Sequence, residues 1–185
     1  MAESMKILGI SGSLRKGSYN TMALRTAQGM APPGMTIEIA EIGDLPLYNE
    51  DIRAQGFPSA AQRLRQQIAA ADALLFVTPE YNYSMPGVLK NAIDWASRPP
   101  DQPFAGKPAA LMGASMGLLG TARAQYHLRQ TCVFLDVHVL NQPEVFIGQA
   151  HTKFDAEGKL TDAATGEWIG KLLEALRGWA LRRKA

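Results

Sequence analysis

The stretch GSLRKGSYNT, Gly12 to Thr21, sets Ser13, Arg15, Ser18 and Asn20 beside two glycines that let a ligand come close to the backbone. It opens like a Walker A loop, with Gly12 and Gly17 at the required spacing. Ser18, however, stands where the lysine belongs and Tyr19 where the metal-binding Ser or Thr belongs. Donor side chains next to the first N–H groups of a helix are chemistry for a phosphate. Lacking the lysine and the metal-binding hydroxyl, the loop suits one terminal phosphate better than a magnesium-bound triphosphate. Gly9, Gly12 and Gly17 also miss the G-x-G-x-x-G spacing of dinucleotide folds. On this stretch alone a second reading stays open, a polar strand-to-helix turn with a serine cap.

The elements around the loop decide what it can join. MKILGIS, Met5 to Ser11, is a short apolar run that stops at serine and suits a strand buried on both faces. Thr21 to Met30 reads as a helix, APPG breaks it, and MTIEIAEI alternates as a strand would. DLPLYNEDIRAQGFP is a polar connection. SAAQRLRQQIAAA is a helix with Ala61, Leu64, Ile68 and Ala71 on one face and Ser59 and Gln62 at capping-box spacing. DALLFVTPEY gives a third strand, followed by a helix with Pro86 near its first turn and Val88, Leu89, Ala92, Ile93 and Ala96 inward. KPAALMGASMG is a fourth strand, TARAQYHLRQ a helix and VFLDVHVLN a fifth strand. FDAEGKLTD is turn-rich, and Ile169, Leu172, Leu173, Leu176 and Ala180 mark a closing amphipathic helix.

Strands alternating with helices predict an α/β fold with a parallel sheet covered on both faces. Ligands of such sheets bind beyond the carboxyl ends of the strands. Three loops lie there, SGSLRKGSYN, TPEYNYSMPG and GASMGLLG, so they converge on one crevice.

Bulk composition narrows the function classes. A chain of 185 residues, 46% hydrophobic, fits one domain over 1–185. The formal charge is +2 and the basic residues are scattered except for the terminal LRRK, which offsets the negative end of the last helix, so no nucleic-acid partner is expected. Cys132 is alone, which excludes an intramolecular disulfide. The amino terminus lacks a signal-peptide pattern and no apolar run reaches ~20 residues, so a cytoplasmic protein without a membrane partner is expected. His127, His138 and His151 show no metal-ligand spacing, and no metal is expected. Cys132, after a helix and before a strand, and Trp95 read as core; Glu80 and Asp94 read as separate loop or helix-surface residues.

With TPEYNYSMPG, GSLRKGSYN, LKNAIDW, GASMG and YHLRQ on one chain, the sequence resembles the NAD(P)H-dependent FMN reductase family, and most of all its bacterial soluble quinone and chromate reductases. The resemblance implies a flavodoxin-like three-layer sandwich with a five-stranded parallel sheet of order 2-1-3-4-5. It implies FMN as cofactor, its phosphate on Ser13, Arg15, Ser18 and Asn20 in the loop that also holds Leu14 and Tyr19. Pro79, Glu80, Tyr81, Asn82 and Tyr83 would lie against the isoalloxazine ring, and Ser115, Met116 and Gly117 would meet its pyrimidine side. The implied enzyme passes electrons from NADPH or NADH through FMN to quinones and other small acceptors such as chromate, nitro or azo compounds. No catalytic side chain is then demanded, because the flavin carries the redox chemistry. The alternative is a flavodoxin-type electron carrier, which the slightly basic charge disfavours. A homodimer or homotetramer is implied as well, with TARAQYHLRQ, Arg123, Tyr126 and Glu144 near its contacts.

Overall fold

β1 (Met5–Ser11) is buried at every position except Lys6, as a central strand covered on both faces must be. The computed structural model describes residues 4–184. Residues 1–3 and 185 of the expected domain, and the Lys184 side chain of the expected basic helix end, lie outside that description. β2 (Met35–Ala40) and β3 (Ala73–Val77) flank β1, and β4 (Pro108–Ala114) follows β3. Two short strands, β5 (His138–Val139) and β6 (Val145–Ile147), both pair with β4. Every pairing is parallel and the order is β2-β1-β3-β4-β5, as the resemblance implied. Ser11 pairs with Val77 and Val77 with Met112, so the carboxyl ends of β1 and β3 finish level, and β4 runs two residues further to Ala114. Beyond them Gly12 donates to the Val77 carbonyl at 2.8 Å and Thr78 to that of Met112 at 3.0 Å. The three loops therefore start side by side.

Two apolar layers hold this sheet. Against one face α1 (Tyr19–Gly29) and α6 (Ala163–Lys184) bury Ala23, Leu24, Ile169, Leu173 and Leu176. Against the other, α3 (Ser59–Ala70), α4 (Gly87–Ala96) and α5 (Ala122–Phe134) bury Leu64, Ile68, Leu89, Ile93 and Leu128. Truncating any one of these leucines or isoleucines to alanine removes ~2–5 kcal/mol by the lost transfer energy and the cavity left behind.

Four local expectations are corrected. The fifth strand does not begin at Val133, because Val133 and Phe134 finish α5 with their side chains in water. That strand position is instead split into β5 and β6 around Pro143, which has no N–H to give a ladder. Cys132 accordingly lies within α5, buried there as a small hydrophobe. The capping box at Ser59 is not formed, because α3 starts one residue earlier with Pro58 in the cap position. Finally, the polar connection after β2 contains α2 (Glu50–Ala54), capped by the Asn49 side chain on the Asp51 N–H at 2.8 Å.

Candidate active site at the carboxyl ends of the strands

Ser18 ends the first loop as the N-cap of α1, its hydroxyl oxygen facing the Thr21 N–H at 3.4 Å. The first turn of α1 carries no acidic residue, and the N–H groups of Tyr19 and Asn20 have no partner among the described residues. This is the bare positive end of a helix. Arg15 stands exposed beside it, its guanidinium 5.3 Å from the centre of the Tyr19 ring, and Ser13 and exposed Leu14 complete the loop. Gly12 is closely packed: a Cβ there would come within 3.0 Å of Thr78 Oγ1 and 3.3 Å of Leu89 and Pro79, so these side chains would have to shift by a few tenths of an ångström. A cleft of about 330 Å³ opens on the β2 side of the loop, lined by Ser11, Ser13, Arg15, Lys16 and Thr21 among others.

Asn20 does not join these donors. Its amide is buried, donating to the Ala114 carbonyl at 2.9 Å and accepting the Ala114 N–H at 2.8 Å. With one amide N–H and the amide oxygen both committed to Ala114, the side chain splices α1 to the end of β4. Ser11, whose role the resemblance left open, shares a hydrogen bond of 2.9 Å with the Thr21 hydroxyl.

The second loop is a two-residue turn. Tyr81 and Ser84 exchange both backbone hydrogen bonds at 2.9 Å, while Asn82 and Tyr83 take φ of 51° and 65°. Those angles and that pairing are the signature of a type I′ turn. The Tyr81 N–H is consumed by the turn, whereas those of Asn82 and Tyr83 bond to nothing among the described residues. Tyr81 and Tyr83 are 52% and 65% exposed. Glu80 is different, its side chain only 8% exposed and its carboxylate directed at α5. Oε1 meets Arg123 Nε at 2.6 Å, and Oε2 accepts the N–H groups of Arg123 and Ala124 at 3.1 and 3.2 Å. Asp94 is remote from it, paired with Lys90 on α4.

In the third loop Ser115 turns its hydroxyl inward to the Gly120 carbonyl at 2.6 Å, and its backbone is bonded as well, the N–H to the Ile147 carbonyl at 3.0 Å and the carbonyl to the Ala150 N–H at 2.9 Å, which leaves Met116 and Gly117 as the exposed part of the loop. Gly113, one residue before the end of β4, cannot be replaced cheaply, since a Cβ would fall 2.2 Å from Thr121 Oγ1 and from the Thr78 carbonyl. Leu14, Tyr81, Tyr83, Met116, Leu118 and Leu119 leave large apolar side chains in water on these three loops. Exposed apolar surface rimmed by polar donors marks a binding site. A cleft of about 500 Å³ between α1 and residues 158–166 lies away from these loops and contains none of their residues.

Sequence reasoning missed two contributors. His127 Nδ1 lies 3.0 Å from the Ser84 hydroxyl, and the Arg123 guanidinium stacks on Tyr83 at 3.7 Å. Their spacing, four apart on one helix, was visible, but nothing local says which loop that face meets. The expected contact set of Arg123, Tyr126 and Glu144 divides accordingly. Tyr126 donates to Glu144 at 2.9 Å, a bond that holds the phenol above its usual titration range, while Arg123 goes to Glu80. Among the described residues no group of three or more His, Cys, Asp or Glu could hold a metal, and no helix is long and apolar enough to cross a membrane.

A bare helix start beside Arg15 near an exposed aromatic turn, on a 2-1-3-4-5 sheet, agrees with the comparisons to known proteins. A family model described as NADPH-dependent FMN reductase matches residues 5–152. The chain belongs to the NADPH-dependent FMN reductase family. It is 66% identical over 182 residues to an NAD(P)H-dependent FMN reductase of Pseudomonas aeruginosa, covering 98% of both chains. It is 49% identical over 187 residues to a quinone reductase of Escherichia coli K12, covering all of both. Among solved structures, FerB of Paracoccus denitrificans, a flavoenzyme NAD(P)H:(acceptor) oxidoreductase, superposes with a TM-score of 0.88 at 38% identity, over 97% of this chain and 98% of that one. This family member is thus a flavodoxin-like oxidoreductase that works with FMN and NAD(P)H.

Proposed function

We propose that residues 1–185 form one domain that oxidises NAD(P)H and passes the electrons through FMN to quinones. The observation that carries this reading is the acid-free start of α1 beside Arg15, level with the exposed Tyr81–Tyr83 turn. The donor set fits the cofactor's two ends. Ser13, Arg15, Ser18 and the N–H groups of Leu14, Tyr19 and Asn20 would hold the phosphate. Pro79 to Tyr83 and Ser115 to Gly117 would hold the ring, through backbone groups and the aromatic faces. When bound, FMN accepts a hydride from reduced nicotinamide and delivers electrons to the acceptor, chemistry for which the protein supplies orientation and dipoles. The N–H groups of Asn82 and Tyr83 offer preorganised donors for charge gathering at the ring edge. The Glu80 carboxylate is committed to α5 and is not a proton donor in this scheme.

Quinones are favoured as acceptors by the name of the Escherichia coli relative, and an open apolar site suits flat, uncharged rings. Chromate, nitro and azo compounds belong to the same proposal as further acceptors. A cytoplasmic homodimer or homotetramer completes it, with exposed Tyr126, Val133 and Phe134 on α5 as apolar surface for a second copy. The test is steady-state oxidation of NADPH and NADH by the flavin-loaded protein against a panel of quinones, chromate, nitro and azo compounds. Parallel reciprocal plots with quinones are expected, because donor and acceptor use one site in turn. Absence of quinone-dependent NAD(P)H oxidation would refute the reading.

A further inference from the structure

We infer that Arg123 is the positioning residue that holds the ring-side turn in its binding shape, a role that rests on the FMN reading above. The turn needs a restraint from outside. Asn82 and Tyr83 both occupy the left-handed region, which asparagine tolerates and a bulky tyrosine resists. A type I′ turn ordinarily takes Asn-Gly at these two places. Here the missing glycine is offset by tethers from one face of α5. The Arg123 guanidinium lies 3.7 Å from the centre of the Tyr83 ring, a cation–π contact, and its Nε and Nη2 each sit 2.6 Å from Glu80 Oε1. Glu80 Oε2 takes the N–H groups of Arg123 and Ala124, so the residue just before the turn caps a helix whose own N-cap, Thr121, provides no side-chain bond. His127, one helical turn on, reaches Ser84.

Both ends of the turn and its tip are therefore fastened to α5, and the free N–H groups of Asn82 and Tyr83 point in a fixed direction. Among the described residues, Arg123 is the side chain whose ion pair and ring contact join Glu80 to Tyr83. Its removal frees the ring and leaves a buried carboxylate with backbone donors only.

The experiment titrates flavin-free wild type, Arg123→Gln, Arg123→Lys and Glu80→Gln with FMN and with riboflavin, which lacks the phosphate, and measures urea stability of each flavin-free protein. Arg123→Gln should weaken both flavins by the same factor, about tenfold, because the tether acts on the ring side. Arg123→Lys should recover part of the loss, since it keeps the charge but not the planar, forked donor. Lower urea stability with unchanged flavin affinities, or a loss confined to FMN, would overturn the inference. Should Arg123→Gln fail to fold, Glu80→Gln must show the same equal loss for both flavins, and unequal or no loss overturns it. A wild type that binds neither flavin would overturn the FMN reading and this inference with it, whereas binding by wild type with an unchanged variant overturns only the inference.

Discussion

The loop after β1 and the loop after β3 share the proposed site but are built in opposite ways. The first is shaped mainly by its own residues, with Ser18 capping Thr21 three positions on and Arg15 over Tyr19 four positions on. The second holds a strained pair of residues by side chains 43 positions away on α5. A phosphate cradle needs only outward-facing donors at a helix start, which short-range sequence can provide. A surface for a flat ring needs a fixed backbone direction, which only a distant, rigid helix imposes.

The largest expected effect comes from breaking the junction between β4 and the start of the loop after β3. Gly113→Ala forces a Cβ to within 2.2 Å of the Thr78 carbonyl and the Thr121 hydroxyl, a clash with the backbone that leads from β3 into the ring-side turn. Loss of about 3 kcal/mol or more in urea unfolding is expected, with soluble but flavin-free protein as the mildest outcome. Asn20→Ala comes next. It orphans the buried N–H and carbonyl of Ala114 and should cost ~2–3 kcal/mol, with weaker FMN binding following from the loosened α1. Equal stability to wild type in urea would show that Asn20 is not a splice.

Arg15→Ala acts on the phosphate side alone. It removes the loop's only guanidinium and should cost roughly 2 kcal/mol, about thirtyfold in FMN affinity, without lowering stability, because Arg15 is exposed. The smallest effect concerns α5. Burial pushes the Cys132 thiol up from 9.0 to about 12. Below 9.0 both folded and unfolded chains keep the proton, so this group leaves stability unchanged. Between 9.0 and about 12 the unfolded chain ionises first, so stability falls as pH rises through that window. Cys132→Ala should be slightly less stable at neutral pH but should lose this alkaline slope, which urea midpoints at rising pH would register. An unaltered slope would place the titrating group elsewhere.

What was legible follows the same division. Met5–Ser11 was bounded correctly because an apolar run ending in serine has few other fates, and the apolar stripe of α6 was plain from its period. The parallel sheet and its order followed from alternation together with the family resemblance. A serine cap stayed open as the second reading of the loop and Ser18 is that cap, whereas the bonds of the Asn20 side chain were not foreseen because their partner, Ala114, is 94 positions away. Glu80 looked like an ordinary loop residue for the same reason. The fifth strand was misplaced because Val133 and Phe134, apolar and β-prone, are exposed helix residues, a choice set by the packing of α5 rather than by propensity. α2 had a local signal, Asn49 followed by Glu50 and Asp51, hidden within a connection that looked like loop.

The central claim is that the β1 loop is a cradle for one terminal phosphate. Calorimetric titration of the flavin-free protein with FMN, riboflavin and FAD tests it most directly. FMN should bind tightest, and riboflavin, which forgoes the Arg15 and helix-start contacts, should bind at least about thirtyfold more weakly. Arg15→Ala should weaken FMN and leave riboflavin unchanged. Riboflavin binding as tightly as FMN in the wild type, or a preference for FAD, would contradict the account.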